Sequence, residues 1–308
     1  MKQVTTILAI LVGFTMNGQW SYNSNNTGVQ ASTCTASGSY STAMGDGTTA
    51  SGDYSTSMGR STAASALYST AMGYGTDASG YFSTAMGSST TASALYSTAM
   101  GDGTIASGSR STAMGSYTTA SDYASLSIGR YNSVNSTVTA GGSATSFDTD
   151  NAAFVIGNGT GSSTKSDAFV VYFNGNATLS GDLTINSDER LKDNIQPLGS
   201  TLNKLHQIEG KTYSFKKDEE HTPKIGVLAQ EVQAVFPELV TEGGDGILSV
   251  NYQGLVPVLI NAINEQDAKM SEQEVKMSEQ DAKIAALEEM VRFLAVQQSQ
   301  TTSSVAAN

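Results

Sequence analysis

Residues 37–120 read SGSYSTAMGDGTTA SGDYSTSMGRSTAA SALYSTAMGYGTDA SGYFSTAMGSSTTA SALYSTAMGDGTIA SGSRSTAMGSYTTA, six copies of a 14-residue unit in register. A looser seventh copy begins at Ser121 and carries SLSIG. A unit this short, with two glycine or small-residue turns, excludes a helical hairpin, which needs roughly twice the length. Two short strands per unit fit, so the repeat predicts a β-solenoid whose coils stack on one another. In Ser41-Thr42-Ala43-Met44-Gly45, alternation puts Ser41 and Ala43 on one face and Thr42 and Met44 on the other. The Ser/Ala face is small enough to fill a narrow coil. The other face stacks Met44, Met58, Met72, Met86, Met100 and Met114, then Ile128, into one apolar stripe. A single solenoid leaves that stripe wet, whereas three packed around an axis bury it, so the stripe predicts a homotrimer. The glycine after each methionine is expected to permit a sharp turn.

A second column runs Tyr40, Tyr54, Tyr68, Phe82 and Tyr96 and is broken by Arg110. It is either a plain solenoid ladder of stacked identical residues or a stacking platform for a surface glycan or host polymer.

The whole chain has 308 residues and is lopsided in composition. Ser, Thr, Gly and Ala dominate the first two thirds, and nearly all Lys and Glu follow residue 186. A net charge of -12 argues against nucleic acid and anionic membrane as partners, since both repel an acidic surface. Only 39% of residues are hydrophobic, many of them Ala, so no ordinary globular core is expected before residue 186.

The start, MKQVTTILAILVGFTMNGQ, has a charge at Lys2, an apolar run Ile7–Met16, then small or polar residues. That is the pattern of a secretory signal peptide over 1–19, with a mature chain beginning near Gln19 or Trp20 outside the cytoplasm. No membrane span is expected in the mature chain. Cys34 lies too far downstream to be a lipid-attachment site; it is either a cross-link between chains or a small buried residue of an irregular first repeat.

The STAMG core at 14-residue spacing resembles the head repeats of trimeric autotransporter adhesins, the YadA-like heads, over about residues 30–134. The resemblance implies a left-handed parallel β-roll that trimerises. Those adhesins end in a membrane-embedded β-barrel and this chain does not, so anchoring by that route is not expected.

Residues 135–186 read as a β-rich connector. AFVIGNGT and AFVVYFNGNATLSGDLTI alternate or run apolar between Asn158-Gly159 and Asn174-Gly175, which suit hairpins or tight corners. GNGTGSSTKS, Gly157–Ser166, lacks a glycine directly before Lys165 and reads as a turn rather than a phosphate loop.

Composition changes at Ser187. SDERLKDNI opens a helix-like polar turn, and LNKLHQIEG places Leu202, Leu205 and Ile208 at helical spacing before Gly210. KIGVLAQEVQAVFPELV carries Val227, Leu228, Val232 and Val235 on an amphipathic turn. The last helix holds a heptad: Ile263, Met270, Met277, Ile284 and Val291 sit seven apart, with Gln266, Gln273, Gln280, Leu287 and Leu294 at the matching d positions. A sustained seven-residue period predicts a left-handed coiled coil of about 48 Å over 261–296, followed by a disordered tail at 297–308. The three Gln layers weaken the seam and help fix register and strand number.

SDERLKDNI, then IGVLAQEVQAVFPELV, then VNYQGLVPVLINAI and a heptad tail resemble the intramolecular chaperone auto-processing domain. That domain ends phage endosialidase tailspikes and other tail fibres and occurs in myelin regulatory factor. The resemblance spans about residues 187–295 and sets a chaperone domain at 187–260. It implies a trimer, templated folding of the preceding fibre, and self-cleavage between Asn186 and Ser187 by a Ser187/Lys192 dyad. At most this is a single-turnover serine endopeptidase with no external substrate. A serine hydroxyl needs a base, and a lysine serves only if burial lowers its pKa; trimer assembly could supply that burial. Acidic Asp188, Glu189 and Asp193 would hold Lys192 charged unless they point away. On its residues alone, Ser187 reads as a helix N-cap with Asp188 and Glu189 in the first turn.

Neither His206 nor His221 has a second ligand at metal spacing, so no metal or cofactor is expected. Paired carboxylates in a cleft would mark a glycan depolymerase, but Asp46, Asp53, Asp77 and Asp102 are scattered along a rod. The expected function is a secreted or surface-exposed bacterial fibre, adhesin-like, whose C-terminal domain assembles it and cuts itself off. The alternative is a phage or prophage tail fibre binding a host-surface receptor.

Overall fold

The computed structural model describes residues 20–22, 27–216 and 221–305. The expected signal peptide at 1–19 lies outside them. The chain divides into two units, one ending at Asn186 and the other beginning at Ser187.

The first unit is a parallel β-solenoid of about seven coils, each of 14 residues. Every coil contributes a five-residue strand such as Thr42–Asp46 and a two-residue strand such as Thr49–Ala50. Among the described residues the long strands belong to a 12-stranded sheet and the short ones to a seven-stranded sheet facing it. Register follows the repeat without slippage: Met86 pairs with Met72 on one side and Met100 on the other.

The interior is lined by alanine. Ala43, Ala71, Ala85, Ala99 and Ala113 from the long strands meet Ala50, Ala64, Ala78, Ala92 and Ala106 from the short ones, and all are fully buried. Buried serine and threonine fill the corners; Ser41 Oγ donates to the Gly38 carbonyl at 2.7 Å. Side chains this small bring the two sheets close, and cohesion comes chiefly from hydrogen bonds and contacts between neighbouring coils. Thr42 and Met44 point the other way and are half-buried, as strand alternation requires.

The glycine after each methionine has a different task from the expected one. Gly45, Gly59 and their equivalents are the fourth residue of the long strand, not a turn residue. A Cβ on Gly59 would sit 2.0 Å from the Gly73 carbonyl oxygen of the next coil, and its φ of +122° lies where L side chains are strained. Glycine here lets the coils approach one another.

The short-strand sheet ends in amide side chains. Within the shaft the N–H groups of Ser107 and Gly108 both donate to the Ala120 carbonyl of the following coil. In the last coil Ser121 and Asp122 N–H donate instead to Asn135 Oδ1, at 2.7 and 2.6 Å. Asn132 does the same for Thr119. At the opposite edge Gln30 Oε1 accepts from Ala36 N–H at 2.9 Å. Buried Asp122 pins the segment that follows, accepting from the N–H groups of Thr139 and Ala152. Cys34, the residue in register with Thr48, is buried with its Sγ 3.3 Å from the Gly45 carbonyl oxygen, in keeping with a small interior residue.

Only the long-strand sheet continues. Ala152–Asn158 pairs in parallel with Leu126–Arg130, then Asp167–Tyr172 and Ala177–Leu179 complete an antiparallel meander. Gly161 and Thr164 bridge to close the expected turn between the first two of these strands, and Gly175, at φ +90°, turns the chain into the third.

The second unit is small and mixed. Helix Ala229–Val235, the two-stranded sheets Lys211–Tyr213/Lys224–Gly226 and Val240–Glu242/Leu248–Val250, and the start of helix Leu255–Val305 surround Val232, Phe236 and Val258. The helix foreseen at Leu202–Ile208 is shorter, Leu202–Leu205. It is held from outside: Glu265 accepts from Thr201 N–H at 2.6 Å, Leu202 N–H at 3.3 Å and Ser200 Oγ at 3.0 Å. The long helix runs past 296 to Val305, so the tail expected to be disordered from 297 is helical as far as that residue.

Candidate functional site

The chemistry-bearing turn opens the second unit. Asp188 caps a 3-10 turn, Glu189–Leu191, by accepting from Arg190 N–H at 2.9 Å, and Lys192 closes it with its own N–H on the Glu189 carbonyl. The cap is therefore Asp188, one residue after the serine that sequence reasoning would place there. Displaced from the cap, Ser187 is free to turn back. Lys192 Nζ donates to Ser187 Oγ at 2.7 Å, so the irregular turn joins two side chains five positions apart.

Arg190 is the participant that sequence reasoning missed. Its Nε and terminal nitrogen grip the two Asp188 carboxylate oxygens at 3.0 and 2.6 Å, a two-pronged charge-assisted pair. That grip, more than the nearby Lys192 charge, holds the Asp188 carboxyl below the usual carboxylate range and raises the Arg190 guanidinium in turn. Its signal was the D-x-R spacing inside SDERLK, which a turn, but not a regular helix, converts into a pair. Asp193 is turned to its own neighbour, accepting from Asn194 N–H at 2.8 Å.

Geometry places the Ser187 hydroxyl and the Lys192 amine within hydrogen-bond reach, and a lysine that donates to a hydroxyl cannot at the same time take its proton.

Two sets of residues forecast as interface lie open. Along the shaft, Met44, Met58, Met72, Met86 and Ile128 are half-buried while Met100 and Met114 are exposed, all on the outer face. On the long helix Ile263, Met270, Met277, Ile284 and Val291 are each more than half exposed. Near the helix start, an open cleft of about 400 Å³ is lined by Tyr213, Phe215, Leu228, Ile247 and Tyr252.

The aromatic column is a continuous stack. Tyr40, Tyr54, Tyr68, Phe82 and Tyr96 follow one another with ring centroids 4.9–5.1 Å apart and planes within 18°. Arg110 extends the column, its guanidinium lying 5.6 Å from the Tyr96 ring and 5.3 Å from that of Tyr123. Each of these ring-bearing residues has positive φ, 56° to 59°.

The first unit is thus a shaft of stacked repeats, and the second a small mixed domain that ends in a long helix. Comparison with known families places YadA head domain repeats at residues 36–62, 50–76, 78–104 and 106–132, and a chaperone-of-endosialidase domain at 187–241. The chain thus carries both kinds of module. Among curated proteins, long tail fiber protein Gp37 of Escherichia phage AR1 is 39% identical over 97 residues, 29% of this chain and 9% of that protein. The protein of the same name in Salmonella phage S16 is 29% identical over 139 residues, 42% of this chain and 17% of its own. A probable tail fiber protein of Escherichia phage Phieco32 is 34% identical over 90 residues, 27% and 12%. The chain spans less than a fifth of the length of these relatives. Among the described residues no helix is long and apolar enough to cross a membrane.

Proposed function

We propose that this chain is a homotrimeric fibre protein whose C-terminal domain directs assembly and then cuts itself off between Asn186 and Ser187. The observation that carries the trimer is the long helix, whose heptad positions Ile263, Met270, Met277, Ile284 and Val291 are open to water in one chain. Such a seam is stable only against sister helices. The outer methionine column and the apolar cleft would be covered in the same event.

Cutting follows from burial. Once assembly dries the turn, neutral Lys192 takes the Ser187 Oγ proton and the oxygen attacks the Asn186 carbonyl carbon. The C–N bond breaks as Lys192 returns the proton to the Ser187 nitrogen. Water then hydrolyses the resulting ester, leaving Asn186 as a carboxylate and freeing the Ser187 hydroxyl and amine.

The names of the relatives favour a phage or prophage tail fibre binding a host-surface receptor over the exported, adhesin-like fibre that residues 1–19 suggest. Any glycan or host polymer would meet the edges and hydroxyls of the aromatic column, because the ring faces cover one another. The test compares the full chain with Ser187→Ala and Lys192→Ala on denaturing gels and by sedimentation. A trimer, with a fragment of residues 187–308 released from the parent alone, is expected. A well-folded monomer at micromolar concentration removes the assembly claim, and an uncut parent removes the cleavage claim. In the source cell, a chain starting near Trp20 marks export, and one retaining residues 1–19 marks a fibre assembled in the cytoplasm.

A further inference from the structure

We propose that Arg190 is a positioning residue for the dyad: by clamping Asp188 it keeps that carboxylate off Lys192 Nζ and leaves the amine on Ser187 Oγ. The inference rests on the self-cleavage reading and concerns how that site is kept competent.

A lysine base is useful only near its own deprotonation, and a free carboxylate within a few ångströms opposes that by stabilising the ammonium form. Asp188, Glu189, Arg190 and Asp193 are the charged groups of the turn that holds Lys192. Residues 175–200 are exposed throughout, so among the described residues no other element packs on this turn to contribute a further charge. Among the described residues Lys192 forms no ion pair and its Nζ bonds to Ser187 Oγ. Asp188 is the acid best placed to intrude, being next to Ser187 and near enough for the Lys192 charge to help lower its own pKa. What prevents the intrusion is geometry. The backbone N–H of Arg190 and both prongs of its guanidinium engage the Asp188 carboxylate with three hydrogen bonds, on both of its oxygens. The planar fork matters, since an ammonium in the same place would offer a point charge without the two parallel bonds.

The experiment follows cutting at the 186–187 bond against pH in the full-length trimer. The variants are Arg190→Ala, Arg190→Lys, Asp188→Asn and the double change Arg190→Ala with Asp188→Asn. Removing the clamp should raise the pH midpoint of cutting by about one unit. Lysine should restore part of the shift, and the double change should return the midpoint to the parental value. An unchanged midpoint in Arg190→Ala overturns the inference, as does a double variant that stays shifted. Sedimentation of each variant identifies any failure to assemble. An independent arm uses uncut Ser187→Ala protein with and without Arg190→Ala, titrating the Lys192 side-chain amine by NMR, assigned through its loss in Lys192→Arg. The lysine should deprotonate at higher pH without the arginine; equal titration overturns the inference. A parent that cuts at no pH sinks the self-cleavage reading, while this arm still decides the role of Arg190.

Discussion

The Asn132 side chain occupies both backbone groups of Thr119: its Oδ1 accepts the Thr119 N–H at 2.7 Å and its Nδ2 donates to the Thr119 carbonyl at 2.8 Å. An amide thus stands in for the strand that a further coil would supply. Sheet edges left open invite pairing with other chains, and here the shorter sheet is closed by one side chain after another.

Asn132→Ala therefore leaves two backbone groups at the end of the shaft without partners. Denaturant unfolding should show a loss of about 1–3 kcal/mol. Asn132→Asp, similar in size but unable to donate to the carbonyl, should be no better. Unchanged midpoints for both would mean that water replaces the amide without cost.

Two glycines separate close packing from backbone strain. Gly87→Ala meets the Gly101 carbonyl oxygen at 2.0 Å and also has φ +123°, so it should cost more than about 4 kcal/mol or prevent folding. Gly75→Ala has φ +60° but nothing closer than Ser89 Oγ at 3.8 Å, and should cost about 1–2 kcal/mol. Equal losses in thermal unfolding would refute the close-approach role.

At Tyr68 the usual order of alanine and glycine should invert. Tyr68→Ala forfeits stacking on Tyr54 and Phe82, about 0.5–1.5 kcal/mol per pair, and keeps the strain of φ +56°. Tyr68→Gly loses the same stacking but relieves about 1–2 kcal/mol of that strain. The glycine variant should unfold at the higher temperature, and a lower one would contradict the strain assignment.

Glu265 makes the second unit sensitive to acid. Its carboxyl is held below the ordinary glutamate range first by Thr201 N–H, then by Ser200, Leu202 N–H and the Thr201 hydroxyl. A depressed folded-state value means the stabilisation is complete above the unfolded pKa, about 4.3, and fades as pH falls through the folded one. Hydrogen exchange at the Thr201 amide should lose protection over that acidic window. In Glu265→Ala protection should be low at every pH. A parental profile that stays flat would remove Glu265 as the anchor.

The shaft was legible because its repeat is exact where it matters. Alternation through Ser41, Ala43 and Met44 assigned inside and outside, and 14-residue spacing set the register. The role of Gly45 was misassigned to a turn because the clash that requires it comes from Gly59, one coil away, and leaves no local trace. Asn132 and Asn135 were invisible as caps for the same reason: they act on residues 13 and 14 positions earlier. At the dyad, the family resemblance named Ser187 and Lys192, while residue propensities pointed to a Ser187 cap. The structure moved the cap to Asp188 because a short irregular turn, rather than a helix, begins there.

The unbroken column of glycines along the shaft turns its length into a count. Each coil hands the next the same surface it receives, so the rod grows only in whole steps, roughly 4.8 Å of axis per unit. Genetic gain or loss of one full period leaves every ladder intact, whereas a shift of a strand by an odd number of residues turns methionine into a bore built for alanine. Reach can therefore evolve by duplication, without redesign of either end.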